Sequence, residues 1–285
     1  IGLVTCWTLA RIALSPVAGA LFVPLDQGGV GPLVGDWRFG WLGGPRAETV
    51  AAVTAAAFAS GALVAVGWWT RAAAFVAGQA ICALMSLVPL SSGGHDWLLT
   101  NALWLLVLAP SDASWSLAAR VRTGRWIDPT PRPAVVRQLV MLQLVVTYTV
   151  TGWQKLGPEW WPWGGLSAVY RALLQPHWWR SDLTWVADVY PVTQGMTAIT
   201  LAWECGFPLV PLWMGLRHVS PKLARFDVRL VFLVVGLGVH ATLEAALNLG
   251  PFAWVTLSFY PCFFSADELR GWFGARSAAS STSSP

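Results

Sequence analysis

Between residues 3 and 265 the chain returns repeatedly to apolar stretches long enough to cross a lipid bilayer. A bilayer core of about 30 Å takes roughly 20 apolar residues in helical form. Backbone polar groups in hydrocarbon must be satisfied within the structure, which leaves helices or closed barrels. Barrels would read as alternating strands of about ten residues, so the long unbroken runs predict helices. Charged residues make up 11% of the 285, too few to cover a water-soluble globule of this size, and the mean hydropathy is +0.55. The expectation is an all-α polytopic membrane protein with about eight transmembrane helices, at 3–23, 49–67, 71–90, 96–110, 135–155, 193–214, 228–247 and 250–265. Residues 1–265 read as a single transmembrane domain. The rest, 266–285, reads as a largely disordered cytoplasmic tail ending in SAASSTSSP. The first residue is Ile1 rather than Met, which leaves room for an N-terminal piece.

Cationic residues orient the spans, because short cytoplasmic loops collect Lys and Arg. Eight spans put Arg71, Arg120, Arg122, Arg125, Arg132, Arg137, Arg217, Lys222, Arg225, Arg229, Arg270 and Arg276 on one side. Arg38, Arg46, Lys155, Arg171 and Arg180 fall on the other, and Arg11 lies inside the first span, where it snorkels or pairs with an acid. That asymmetry predicts a multi-pass protein of the cytoplasmic (inner) membrane with both termini in the cytoplasm. The pI of about 9.1 then calls for membrane lipids as partners and for no nucleic acid. Cys6, Cys82, Cys205 and Cys262 are scattered without metal or redox spacing.

On the outer side, residues 156–192 carry Trp160, Trp161, Trp163, Trp178, Trp179 and Trp185 around a possible helix, GLSAVYRALL. Tryptophan favours the headgroup zone, so this reads as an interfacial segment of the outer leaflet. Most of its tryptophans would be anchors, and a minority would line a pocket for a flat ring.

Ionisable groups at membrane depth are costly and default to site candidates. Tyr148, Thr151 and Lys155 are spaced i, i+3, i+7 on one helical face, and His240, Glu244 and Asn248 recur every four residues on another. His95 and Asp96 open the fourth span, with Asn101 about 9 Å deeper. Glu204, in TAITLAWECGFP, is the deepest acid. Each has a plainer reading: His95 as a boundary residue, His240 and Glu244 as an interhelical hydrogen-bonded pair, Glu204 as a protonated bridge between helices. His-x-x-x-Glu alone lacks the further ligands of a metal site, so no metal is expected.

Lys155 is the sharper case, because the chain has two lysines among 18 basic residues. A snorkelling cation at the membrane edge serves equally well as arginine. Lysine differs in that its ammonium releases a proton when desolvated, whereas guanidinium stays charged. A neutral lysine beside an apolar pocket is a competent general base.

At TGWQKLGPEWWPWGG the sequence resembles the horizontally transferred transmembrane domain family, whose best-known member is the vitamin K-dependent gamma-glutamyl carboxylase. The resemblance continues at HDWLLTNALWLLVLAPSDASW, WECGFPLV and VHATLEAALNLGPFAWVTLSFYPCFF. It implies that Lys155 is the base that deprotonates reduced vitamin K or another quinol, with His95 assisting. His240 joins them as a candidate by its depth. Tyr148, Thr151, Asn101, Trp160, Trp161, Trp163, Glu204 and Glu244 are the candidate substrate-binding residues. The implied reaction oxygenates the quinol to its epoxide and uses the strong base so formed to carboxylate a peptide glutamate. Two departures stand out: Gln154 replaces a second lysine, and the chain stops about twenty residues after its last span, where the carboxylase continues into a large peptide-binding region. The expectation is therefore quinol chemistry toward the extracytoplasmic side. The reading from a different class is a non-enzymatic accessory factor for the maturation, export or immunity of a secreted peptide.

Overall fold

The computed structural model describes residues 1–14, 18–89, 92–128, 130, 132–269 and 271, and among them every regular element is helical. Among the described residues four helices are long and apolar enough to cross a membrane: α4 (Ala47–Val66), α5 (Thr70–Leu87), α8 (Val135–Trp153) and α13 (Val228–Ala246). A fifth crossing is made if the helical stretch Thr184–Gly206, which contains α10 (Tyr190–Gly206), and α11 (Leu209–Leu216) count as one span, and these meet at a 49° bend. Pro208 sits at that bend, where it has no N–H to continue the ladder.

The remaining expected spans meet shorter helices. In place of 3–23 there is α1 (Gly2–Ala13), 12 residues and so about 18 Å long, and then α2 (Ala18–Leu21). In place of 96–110 there is α6 (Gly94–Leu108), and in place of 250–265 an apolar helical stretch over Phe252–Phe263 that opens with α14 (Phe252–Leu257). Four to five crossings, rather than eight, are long enough by themselves. Short helices α3 (Trp37–Trp41), α7 (Leu117–Thr123), α9 (Ala168–Leu173) and α12 (Pro221–Ala224) link the rest.

Apolar surface faces outward here, as in a protein solvated by lipid. Only 22% of the apolar window of α4, and 22% of that of α13, is buried within the protein. The interior is made where α1, α4, α5 and α6 pack in sequence, α8 packs on α6 and α10 on α8, with α13 packing on α10, α11 and α14. Gly67 shows how tight this packing is. It ends α4 at φ 69°, and a Cβ there would lie 2.3 Å from the Cβ of Ser116, the N-cap of α7.

The two ends of the bundle differ in charge. At one, Arg137 donates to the carbonyls of Cys262 and Phe264, and Arg217 pairs with Glu268. Arg229, 3% exposed, is held there by Asp227, Glu268 and the Phe263 carbonyl. Arg71, which caps the Ala109 carbonyl, lies at the same end. Arg11, His95, Arg180 and Glu244 gather at the other. Residues 266–269 of the expected tail are helical and carry Glu268; the rest of that tail, apart from Gly271, lies outside the described residues.

Candidate functional site

Lys155 follows the C-terminus of α8, and its side chain folds back over the last turn. Nζ donates to the Thr151 carbonyl (3.3 Å) and forms an ion pair with Oε2 of Glu204 on α10. The two side chains are 16% and 12% exposed. Glu204 lies on the last turn of α10, immediately before the bend at Phe207–Pro208. Gly152 allows this approach: a Cβ on it would meet Glu204 Cβ and the Cys205 nitrogen at 2.8 Å. Trp160 lies over the ammonium at 4.7 Å, and the indole N–H of Trp161 donates to the Lys155 carbonyl (3.1 Å). Trp163 stacks on Trp161 at 5.2 Å, parallel within 2°, and is itself 75% exposed. A cation and a carboxylate, drawn out of water together and roofed by indole, thus sit at a broken helix.

One turn before Thr151, Tyr148 hydrogen-bonds Nε2 of His240 (2.6 Å). The histidine is 1% exposed. On its far side the Thr256 hydroxyl lies 3.5 Å from Nδ1 while donating to the Phe252 carbonyl at 2.9 Å. A hydroxyl engaged as donor presents a lone pair to the ring, so the arrangement suits a hydrogen on Nδ1 and an Nε2 that accepts from Tyr148. Trp203 and Phe207 clasp the Tyr148 ring at 4.4 and 4.7 Å.

His95 opens on a different cavity, of about 570 Å³, whose walls include Arg11, Asp96, Asn248, Trp178 and Phe252 but not Lys155. Its Nε2 lies 3.5 Å from an Asp96 oxygen. Phe252 separates it from His240, with ring centres 6.4 Å from His95 and 5.3 Å from His240. Glu244 pairs with Arg180 (2.8 Å) and stands 3.9 Å from Arg11. Asn101 is exposed and shares a separate hollow with Trp104 and Gln143. The Thr151 hydroxyl is turned to backbone carbonyls of its own helix, so its contribution to Lys155 is the carbonyl.

The sequence-read residues therefore form a line rather than one pocket, running from His95 past Phe252 to His240 and Tyr148, and on to Lys155 and Glu204. Sequence reasoning found every member except Phe252. It also passed over Gly152 as the residue that lets the helices meet. The signal for Gly152 was present as a glycine in the last turn of an apolar helix, three residues before the lysine.

Fold and site together define a polytopic helical membrane protein that keeps an ion pair and a histidine–tyrosine pair within its bundle. The HTTM domain matches residues 36–268, and the protein belongs to that family. No curated protein and no solved structure matches it.

Proposed function

We propose that this protein binds a quinol in the outer half of its bundle and that Lys155 is the base in the quinol's oxygenation. The Lys155–Glu204 pair beneath Trp160 carries this reading. A base must lose its own proton before it can take one from a substrate, and Glu204 is the adjacent acceptor. Transfer within the pair leaves a neutral amine and a neutral carboxyl, a state favoured by a dry surround. The amine then takes a quinol hydroxyl proton, and the pair has gained one proton for each quinolate formed. In this reading Trp160, beside the ammonium, and the exposed Trp163, stacked on Trp161, offer surface to a flat ring. A hollow of about 550 Å³, walled by Leu173, Trp185, Val186, Val192 and Met196, gives an apolar substituent room, about 12 Å along α10 from Glu204. His240 assists through Tyr148, and His95 acts from beyond Phe252. The quinol supplies the electrons: with oxygen it leaves as the quinone epoxide and one water.

Family membership supports this reading, since the HTTM domain is the membrane domain associated with vitamin K-dependent carboxylases. On it, the His95 and Lys155 end faces the extracytoplasmic side of the inner membrane and the Arg229 end, with both termini, faces the cytoplasm. The test is to supply the purified full chain in nanodiscs with reduced naphthoquinone and air and to follow the epoxide. Epoxide from wild type and none from Lys155→Ala is the expected result; equal epoxide from both removes Lys155 from the chemistry.

The ion pair itself favours a second reading. A lysine held by a carboxylate serves as an interhelical tie in an accessory factor that handles a secreted peptide, with no turnover. Such a protein makes no epoxide in any variant.

A further inference from the structure

Thr8, on α1, is 3% exposed, and its hydroxyl has no hydrogen-bond partner among the described residues. A buried hydroxyl without a partner is costly in hydrocarbon. Thr8 lines the His95 cavity together with Arg11, one turn further along the same helix face. Arg11 gives one hydrogen bond to Asn248 Oδ1 (2.8 Å) and one to the Gly250 carbonyl (3.2 Å), both uncharged partners. The N-terminus of the 15-residue helix α6 enters the same cavity at Gly93 and His95. Two carboxylates are near. Asp96 caps its own helix by accepting from the Gly93 nitrogen (2.9 Å), and Glu244 is held by Arg180 at 2.8 Å and stands further off, 3.9 Å, from Arg11. Arg11 thus spends two of its five N–H donors on the hydrogen bonds to Asn248 and Gly250, beside the unpartnered Thr8 hydroxyl, while the nearby acids disfavour a second negative charge.

The cavity has an apolar continuation. Ile12 lines it, a smaller recess behind Thr8, and a third hollow of about 680 Å³ along α1 and α4, whose wall includes Phe22, Val50, Ala51, Ala55 and Phe58. Trp178 stands at the polar mouth, the residue that marks headgroup depth. A polar, donor-rich head space therefore adjoins an apolar track in a protein surrounded by lipid.

We propose that this is a binding site for one monoanionic amphiphile, an oxyanion head held by Arg11 and Thr8 with its hydrocarbon chain along the α1–α4 track. The head is a carboxylate or a phosphodiester, and both present the same acceptor oxygens to the guanidinium. The site shares His95 with the proposed quinol chemistry but not Lys155 or Glu204, and it stands whether or not that reading holds.

The full chain, purified in a non-ionic detergent, is to be titrated with phosphatidylglycerol, phosphatidylcholine of the same acyl chains, palmitate and hexadecanol, with bound equivalents read by native mass spectrometry. One equivalent of phosphatidylglycerol or palmitate is expected at about tenfold higher affinity than its neutral counterpart; whichever binds more tightly identifies the head. Arg11→Gln is expected to lose that preference, and Lys155→Ala to keep it. Arg11 also ties helices together, so Thr8→Val is the cleaner variant. Losing an unpartnered hydroxyl leaves the melting temperature of the ligand-free chain unchanged or raised, while affinity for the anion falls several-fold. Ala55→Phe, on an exposed position of the track, weakens the long-chain anions and spares a short-chain one such as butyrate. Equal retention of charged and neutral amphiphiles, or anion affinity unmoved in both Thr8→Val and Arg11→Gln, overturns the proposal.

Discussion

Two cations at opposite ends of the bundle, Arg229 buried and Lys155 half-buried, are held in opposite ways. Arg229 meets Asp227 and Glu268, the Phe263 carbonyl, and the ring of Phe264 at 4.5 Å, with its Nε and both terminal nitrogens engaged. Two carboxylates and a saturated guanidinium make a tie that no proton movement can relax, because guanidinium does not deprotonate in proteins. Lys155 has a single carboxylate, a single carbonyl and an indole face, on an amine that can release its proton. The comparison teaches that sequestered charge in this protein is held in two ways: a saturated guanidinium fixes one end of the bundle, and a sparsely held ammonium sits where α10 breaks.

The difference can be broken first at the stronger tie. Arg229→Met leaves Asp227 without its cation and Glu268 with Arg217 alone, and is expected to lower stability by about 3–5 kcal/mol, read as thermal unfolding in detergent. Gly152→Ala pushes α8 off α10 at the Lys155 site. Its Cβ has no room beside Glu204, so a loss of about 1–3 kcal/mol is expected, with the reaction impaired as well. Tyr148→Phe leaves Nε2 of His240 without its donor and is expected to cost about 1–2 kcal/mol in the same measurement.

The smallest effect is one of pH. The Arg229 hydrogen bonds, and then those from Ser265, hold Glu268 down at about 2 from an ordinary 4.5. A carboxylate depressed by folding stabilises fully above its unfolded value, and that contribution is lost as pH falls through the folded one. The melting temperature of wild type should therefore fall between pH 4.5 and about 2 more steeply than that of Glu268→Gln. Parallel curves would mean that Glu268 is not coupled to folding.

Much of the fold was legible because hydrocarbon imposes a simple rule on composition and length. The number of crossings was less so, since an apolar run over 3–23 or 250–265 does not say where a helix stops, and α1 and the Phe252–Phe263 stretch prove short. In the site, period gave the shared face of Tyr148 and Lys155 and the candidacy of His240. It could not give azimuth, the rotation of each helix about its own axis relative to its neighbours. His95 and Asn101 were read as candidates for one site with Lys155, yet Asn101 lines a hollow with Gln143, and His95 lines one with Arg11. The pairing of Lys155 with Glu204 was hidden for a related reason. It depends on a lysine folding back along its helix and on an acid placed at a bend, and neither follows from spacing. Arg11 was read as a snorkelling or acid-paired cation, and it stands 3.9 Å from Glu244; what spacing did not show is that its hydrogen bonds go to Asn248 and Gly250.

The account rests on an amine that gives up its proton, and arginine in its place keeps the charge while withholding that step. Epoxide formation from reduced naphthoquinone, compared at equal folded protein for wild type and Lys155→Arg, tests it most directly. The account predicts turnover in wild type and its loss in Lys155→Arg, and undiminished turnover in the arginine variant would contradict it.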